Sequence, residues 1–352
     1  MGGREPRRRV NVVIDELMPS VASSALWLFA STILAGLILR HWLGDHLFLT
    51  RYTGYVMPWL LLGLLPGAVW AWRMHSPALS AVQIVAAAIV LVTHLPLFRP
   101  HPAISSPPAL RLEVVSYNTW SGNSDDGRIA SVVLGRAPDV VLLQEIRPEV
   151  FGRLMDRLRG LYDGRPVYCA YEPAIQQAVV SRYRVESSAG MVEKGQAQRV
   201  VLRLPSGPIA VFNVHPLRSG GWRQRYQQIA LLLEEDVLRE SGPVILGGDF
   251  NAPDHSQLYA LVAGHLKNAH REAGFGFGFT YPSSELRLLG LVPAPSLVRI
   301  DHVFFSDQFV ALRAGTMEES GGSDHRPVFA ELGLSSSVGN GDVSRVSHGG
   351  RR

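Results

Sequence analysis

Apolar and polar residues alternate along this chain in two different ways. Over about residues 20–98 the apolar positions are nearly continuous; from about residue 111 they come in short runs broken by polar groups. Ser20–Leu39, SVASSALWLFASTILAGLIL, is a stretch of 20 residues without a charge, the length a helix needs to cross a bilayer. A second apolar segment covers about residues 55–72, with Trp59, Trp70 and Trp72 near its ends, where a membrane interface favours tryptophan. A third covers about residues 78–98, opened by Pro77 and closed by Arg99, with His94 and Pro96 weakening its last turn. The apolar core of a cleaved signal peptide is only ~7–15 residues. The first segment is longer and two more follow, so the pattern predicts three transmembrane helices.

Arginines predict the orientation. Arg4, Arg7, Arg8 and Arg9 precede the first span and Arg73 lies in the second loop, against Arg40 and Arg51 in the first loop. Positive charge stays inside, so residues 1–19 are expected in the cytoplasm. Three spans then place everything after Arg99 on the outer face; two would return it to the cytoplasm. The expected localisation is a multi-pass protein of the cell membrane with an extracytoplasmic main domain. RPHPAISSPPAL, residues 99–110, is rich in proline and is expected to be an extended, fairly stiff linker. Residues 334–352 have no apolar periodicity and read as a disordered tail.

From Arg111 onward strands and helices alternate. Leu112–Tyr117 and Asp139–Leu143 read as buried strands, with helices expected over 127–136 and 148–159. Further strands are expected at 178–181, 200–204, 209–214, 244–246, 299–305 and 327–332. Trp222, Tyr226, Ile229, Leu233 and Val237 recur at helical spacing over 222–240. No solenoid repeat is present. The fold class is α/β (α+β), one domain over about 111–333 with sheets in the middle and helices outside.

Composition narrows the function. Of the 34 basic and 30 acidic residues, eight arginines and four acids fall in residues 1–100, so the remaining 26 of each sign balance in the rest. The net charge of +4 therefore comes from the N-terminal part, which removes most of the warrant for a nucleic-acid-binding surface. Cys169 is the single cysteine and allows no intrachain disulfide.

Several apolar strands end in groups that can hold a metal or a phosphate. Val115-Ser116-Tyr117 leads to Asn118, Val141-Leu142-Leu143 to Gln144 and Glu145, and Val211–Val214 to His215. Val244-Ile245-Leu246 leads through two glycines to Asp249 and Asn251; Arg299-Ile300 leads to Asp301; Ser323, Asp324 and His325 precede Pro327. Each has a plain reading by itself. Glu145 is compatible with a solvated strand end, His215 with a loop histidine, Asp324-His325 with a turn, Asp301 with an arginine partner, and GGDFNAP with a turn whose glycines permit a tight strand exit. Together they form a set at the strand termini of one domain, where side chains converge on a cleft. Carboxylates without cysteine suit a hard cation, Mg²⁺ or Mn²⁺. Histidine and amide groups bind phosphate, and a carboxylate or a His–Asp pair takes a proton from water. Metal-assisted hydrolysis of a phosphate ester is the chemistry this set permits.

The segments SYNTW, LLQEI, NVH, GGDFNAP, RIDHVF and GGSDHRPV resemble, in order and spacing, the motifs of the endonuclease/exonuclease/phosphatase superfamily, the deoxyribonuclease-I-like fold. The resemblance covers about 111–333, and the chain with its N-terminal spans looks similar to small membrane-anchored bacterial members. It implies a four-layer α-β-β-α sandwich of two packed sheets behind the three N-terminal spans. It also implies roles. Glu145, Asn118 and Asp324 would lie at the metal. Asp249 would orient or deprotonate the attacking water. Asn251 and His215 would hold phosphate oxygens. Asp301 would orient His325, which would bind phosphate or transfer a proton. One departure is Trp120, where some nucleases of the superfamily have a further metal-binding Asp.

The expected activity is Mg²⁺- or Mn²⁺-dependent hydrolysis of a phosphodiester or phosphomonoester, with a nuclease or general phosphodiesterase ahead of a sphingomyelinase-like or other phospholipid or inositol-phosphate hydrolase. A non-catalytic module on the same fold requires a missing motif, and none is missing. Arg182, Arg218, Arg223 and Arg225 fit either a cleft lining or a solvated surface. The expected partners are a phosphate-ester substrate, either nucleic acid or lipid headgroup, and the membrane; oligomeric state is left open. GFGFGFTY, residues 274–281, is compatible with base stacking, with contact to a lipid surface, or with core packing.

Overall fold

The computed structural model describes residues 5–101, 108–161, 164, 166–217, 219 and 221–334. Most of the expected linker (102–107), the expected tail beyond Leu334, Arg4 and Arg218 lie outside the described residues.

The main domain consists of two stacked six-stranded sheets. The first contains β1 (Leu110–Asn118), β2 (Val140–Gln144), β3 (Tyr168–Glu172), β4 (Gln177–Ser181), β13 (Phe309–Thr316) and β14 (Val328–Leu334), in the order β13-β14-β1-β2-β4-β3. The second contains β5 (Arg184–Met191), β6 (Ala197–Leu204), β7 (Gly207–Val214), β8 (Val244–Asp249), β9 (Lys267–Asn268) and β12 (Asp301–Phe305), in the order β5-β6-β7-β8-β12-β9. A small hairpin, β10 (Arg287–Leu288) and β11 (Val292–Pro293), stands apart.

Alternation along the strands builds the layers. In β1, Leu112 and Val114 point into the inter-sheet core with Val140, Leu142, Val211, Ile245 and Phe305. Val115 and Tyr117 point the other way, onto helices at Asp126–Arg136 and Pro148–Leu161. On the second sheet, Phe212, Val214, Leu246 and Phe304 meet helices at Gly221–Glu235 and Gln257–Ala263. Helices thus cover both outer faces of an α/β sandwich.

Each sheet has one parallel pair at its centre, β1 with β2 and β7 with β8. Each pair is joined by a helix crossing over the outer face, the connection that parallel strands require. These central strands are buried on both sides, so they appear in the sequence as uninterrupted apolar runs. A buried polar relay ties the sheets together. Gln144 Nε2 donates to Asn213 Oδ1 (2.7 Å), and Asn213 Nδ2 donates to the Leu143 carbonyl (2.9 Å).

The N-terminal part is helical: α1 (Glu5–Leu43), α2 (Phe48–Tyr55), α3 (Leu61–Arg73) and α4 (Pro77–His94), with 3₁₀ turns at Met57–Leu60 and Leu95–Phe98. Two helices, Ser20–Leu43 and Pro77–Phe98, are long and apolar enough to cross a membrane. The expected segment 55–72 corresponds to the helical piece Met57–Arg73; it is preceded by a further short helix, Phe48–Tyr55, from which it is bent by 85°. Pro58 has no N–H to offer the Gly54 carbonyl, and its ring clashes there, so the helix breaks.

The bundle has a direction. Ala30, Ala71 and Leu79 pack at one end; Ile33, Leu37, Met57, Leu64 and Val90 pack at the other. The main domain sits on the second end. Asp45 N–H donates to Gln257 Oε1 (2.9 Å) while Gln257 N–H donates to Asp45 Oδ2 (2.7 Å). Trp59 Nε1 donates to the Leu297 carbonyl (2.7 Å), and Gly276 N–H to the Leu97 carbonyl (2.7 Å). The phenylalanine-rich stretch belongs to this contact. Phe279 stacks on Trp59 and on Phe277, and Phe98 meets Phe275 and Phe277 edge-on.

Candidate active site

Both parallel pairs end at the same edge of the sandwich, and their C-terminal ends deliver the site. β1 ends in Asn118, β2 is followed by Glu145, β7 by His215, and β8 ends in Asp249. β12 runs antiparallel to β8 with Asp301 opposite Asp249. β14 runs antiparallel to β1 with Val328 opposite Ser116, which places the preceding Asp324 and His325 at the same edge.

Asp249 lies at the centre and is 1% exposed. Its Oδ2 accepts from Asn118 Nδ2 (3.0 Å) and lies 3.7 Å from both His215 Nε2 and His325 Nε2. Its Oδ1 accepts from the Asn251 N–H (2.8 Å). The same Asn118 amide donates to Glu145 Oε1 (3.1 Å), while Asn118 Oδ1 accepts from the Trp120 N–H (3.0 Å). Asn118 therefore turns its nitrogen, not its oxygen, toward the carboxylates.

Glu145 also accepts from the Ser121 N–H (3.0 Å) and lies 3.5 Å from His215 Nε2. Burial alone would raise its pKa, but the Ser121 N–H, His215 and the Asn118 amide outweigh it and hold the carboxyl below its ordinary value. Asp324 shows the opposite balance: burial, with Glu145 and Asp249 as like charges nearby, raises it. Asn251 donates from Nδ2 to the Pro216 carbonyl (3.3 Å), which ties it to the His215 loop.

His325 Nδ1 bonds Asp301 Oδ2 at 3.0 Å, so Nε2 faces Asp249. Burial opposes a charge on His325, but the Asp301 and Asp249 carboxylates outweigh it and raise its pKa to about 10. Asp301 is 1% exposed, and burial raises it against the pull of His325.

All eight expected residues, Asn118, Glu145, His215, Asp249, Asn251, Asp301, Asp324 and His325, thus lie at one edge. Two supports were not read from the sequence. Tyr281 packs its ring on His325 at 4.9 Å between centroids, and Ser323 Oγ joins the Asn118 carbonyl (2.6 Å) to the His325 N–H (3.0 Å). Ser323 lay in the GGSDH motif; Tyr281 carried no local signal. One open alternative is excluded and one expectation is corrected. Arg182 follows β4 and bonds the Ala137 carbonyl near the start of β2, the opposite end of the strand from Gln144, so it does not line the cleft. The GGDFNAP glycines are not a turn: both lie inside β8. Gly248 has φ +150°, and a Cβ there would stand 1.9 Å from the Val214 carbonyl oxygen, so only glycine lets β7 and β8 approach this closely.

The donor set fits a hard divalent cation. Asp249, Asp301 and His325 have ligand atoms within 4.8 Å of one another, but His325 already compensates Asp301 through their hydrogen bond. Burial raises Asp324 most, and the nearby Glu145 and Asp249 carboxylates add to it as like charges. A cation among these carboxylates would relieve that repulsion, and oxygen donors suit a hard divalent ion.

The chain is similar to two bacterial UPF0294 proteins. It is 28% identical to one from Vibrio parahaemolyticus over 133 residues, 38% of this chain and 43% of that protein. It is 23% identical to one from Vibrio campbellii over 246 residues, 63% and 78% of the two lengths. The first match thus spans less than half of the relative. Among solved structures, an endonuclease/exonuclease/phosphatase from Bacteroides vulgatus superposes with TM-score 0.53 and 18% identity over 64% of this chain and all of the other. TDP2 from D. rerio, in complex with a single-strand DNA product, superposes with TM-score 0.51 and 17% identity over 64% and 99%. At such identities these likenesses show the fold. Residues 115–325 match the model of the Endonuclease/Exonuclease/phosphatase family, and the chain belongs to that family.

Proposed function

We propose that the chain is a membrane-anchored, divalent-metal-dependent phosphodiesterase that attacks phosphorus in line with water. The observation that carries this reading is the position of Asp249 Oδ2, bonded to Asn118 and 3.7 Å from both His215 Nε2 and His325 Nε2. A water held against Asp249 gives up its proton there. His215, His325 and Asn251 offer N–H groups to the equatorial phosphate oxygens as charge builds on them. Asp301 keeps the His325 ring aimed and its charge in place. Glu145 and Asp324 would hold the metal, and we infer that Asn118 acts by holding Glu145 and Asp249 in register. Mg²⁺ or Mn²⁺, when bound, neutralises charge on the phosphate and leaving oxygens.

The direction of the helical bundle supports the anchoring. α1 and α4 both end at the main domain, and the bent α2–α3 pair returns between them, so three crossings separate Ser20 from the catalytic domain. With the arginine-rich N-terminus in the cytoplasm, the catalytic domain is extracytoplasmic. Whole cells carrying a C-terminal epitope test this: external antibody labels it without permeabilisation, and labelling only after permeabilisation refutes the orientation. The reaction is tested with the full chain in detergent on bis(p-nitrophenyl) phosphate and a single-stranded oligonucleotide, the second because the D. rerio neighbour is seen with a DNA product. If neither of these nor a phospholipid diester is hydrolysed, the phosphodiesterase reading is refuted.

A further inference from the structure

One apolar surface has no part in the reaction just described. The loop closed by the bridge between Tyr281 and Val298 carries β10 and β11. Leu288, Leu289, Leu291 and Val292 at its tip are 57, 96, 75 and 61% exposed. Leu289 has φ +52° and is followed by Gly290 at +73°. Paired left-handed residues favour Asn or Gly in a tight turn, so local folding does not account for leucine there. Four large aliphatic side chains clustered on one hairpin mark an interaction surface.

The base of the loop touches both the site and the helical anchor. Ser283 N–H donates to the Asp324 carbonyl (2.7 Å), and Tyr281 lies against His325. At the other side, Leu297 accepts from Trp59 on the anchor (2.7 Å). A second apolar surface lies at the end of the anchor that meets the main domain. α2 buries Thr50, Thr53 and Gly54 and exposes Phe48 and Tyr52, the reverse of a helix that faces water. A helix of this polarity, bent 85° from its neighbour, belongs in the interfacial plane of a bilayer. Phe275 of the catalytic domain is also exposed and meets the exposed Phe98 at the end of the anchor edge-on. The hairpin tip adds Arg287 and no acid, a sign that suits anionic headgroups.

We propose that the Leu288–Val292 hairpin rests in the surface of the bilayer that the anchor crosses, and that the substrate is a phosphate ester of a lipid in that bilayer. This rests on the phosphodiesterase reading. Water oxygen bonds to phosphorus, one P–O ester bond breaks, and the departing alkoxide takes a proton; no oxidant or reductant enters. The loop holds the His325 side of the cleft at headgroup level, while soluble diesters reach the same groups without it.

Two measurements on the full chain in vesicles of phosphatidylcholine and phosphatidylglycerol test this. In the first, C169S/L289C carries a spin label at the tip. The label is expected to be accessible to oxygen and shielded from a water-soluble nickel chelate; accessibility to the chelate alone overturns the proposal. In the second, wild type and L288S/L289S/L291S act on the vesicles, read by ³¹P NMR of either cleaved ester, and on bis(p-nitrophenyl) phosphate. The triple variant is expected to lose about tenfold or more on lipid and to keep its rate on the soluble diester. Equal rates on lipid overturn the proposal, as does wild-type cleavage of an oligonucleotide with lipid untouched; both leave the phosphodiesterase reading standing. No hydrolysis of any substrate by wild type removes that reading, and the proposal with it.

Discussion

Replacing Gly248 by alanine tests how the β7–β8 approach sets the site. The added Cβ would stand 1.9 Å from the Val214 carbonyl oxygen, which is backbone in the neighbouring strand and cannot swing aside. Separation has to grow by about 1.5 Å to reach an ordinary contact. The φ of +150° adds backbone strain of about 1–3 kcal/mol for any residue with a Cβ. Overpacking adds about 1–3 kcal/mol, for an expected total loss of ~2–6 kcal/mol. The strands being pushed apart carry His215 and Asp249, and a displacement of about 1 Å in a catalytic pair lowers turnover by about 10²-fold. Two other glycines serve as controls. A Cβ on Gly247 meets the end of the Leu142 side chain at 2.6 Å, which can turn away, so G247A is expected to lose only about 1–2 kcal/mol. Gly135 has nothing within 4 Å and lies in a helix, so G135A is expected to gain about 0.5 kcal/mol. Thermal unfolding of the full chain in detergent and turnover on bis(p-nitrophenyl) phosphate read all three. Wild-type stability and turnover in G248A would refute the close-approach account.

Three further outcomes are expected. Glu145→Ala and His325→Ala each lower turnover by about 10²-fold or more with unfolding still cooperative; near-normal rates in both would remove their assigned roles. Arg153 and Arg157 hold Asp126 down to about 2, so its stabilisation is full above its ordinary value of 3.8 and is lost as pH falls through about 2. D126N should therefore lower stability at pH 7 by about 1 kcal/mol, kept small because both guanidiniums are half-exposed, and the gap to wild type should close in acid; a gap independent of pH contradicts this. Asp254 is buried against Arg299, which is 2% exposed and bonds it at 2.7 Å. D254N leaves that guanidinium without its counter-charge and is expected to destabilise by about 3–5 kcal/mol, measured by chemical unfolding; an unchanged midpoint would contradict it.

The centre of the fold was legible in the sequence and its margins were not. β1, β2, β7 and β8 are buried on both faces, so each is an apolar run ending in its site residue. β3, β5 and β13 were missed, and each is the edge of a sheet or exposes one face. Edge strands such as RVESSAGM carry little apolar signal. Convergence of the eight site residues followed from strand ends and motif order, but their contacts did not. The sequence cannot show that Asn118 turns its nitrogen inward, or that Tyr281 packs on His325 from a loop 44 residues away. Apolar length marked the second N-terminal segment, but not the short helix Phe48–Tyr55 that precedes it across the break at Pro58. Phe277 and Phe279 pack on aromatic residues of the helical bundle, a partner that no local pattern reveals.

We propose that Glu145 and its neighbours use a divalent cation to hydrolyse a phosphodiester. The most direct measurement is the Mg²⁺ dependence of bis(p-nitrophenyl) phosphate hydrolysis by the full chain after treatment with EDTA. Wild type should be inactive without metal and recover saturably as Mg²⁺ or Mn²⁺ is added, with the curve for Glu145→Ala displaced to at least about tenfold higher metal, as loss of a ligand demands. Hydrolysis that survives EDTA, or a metal dependence unchanged in Glu145→Ala, would contradict the account.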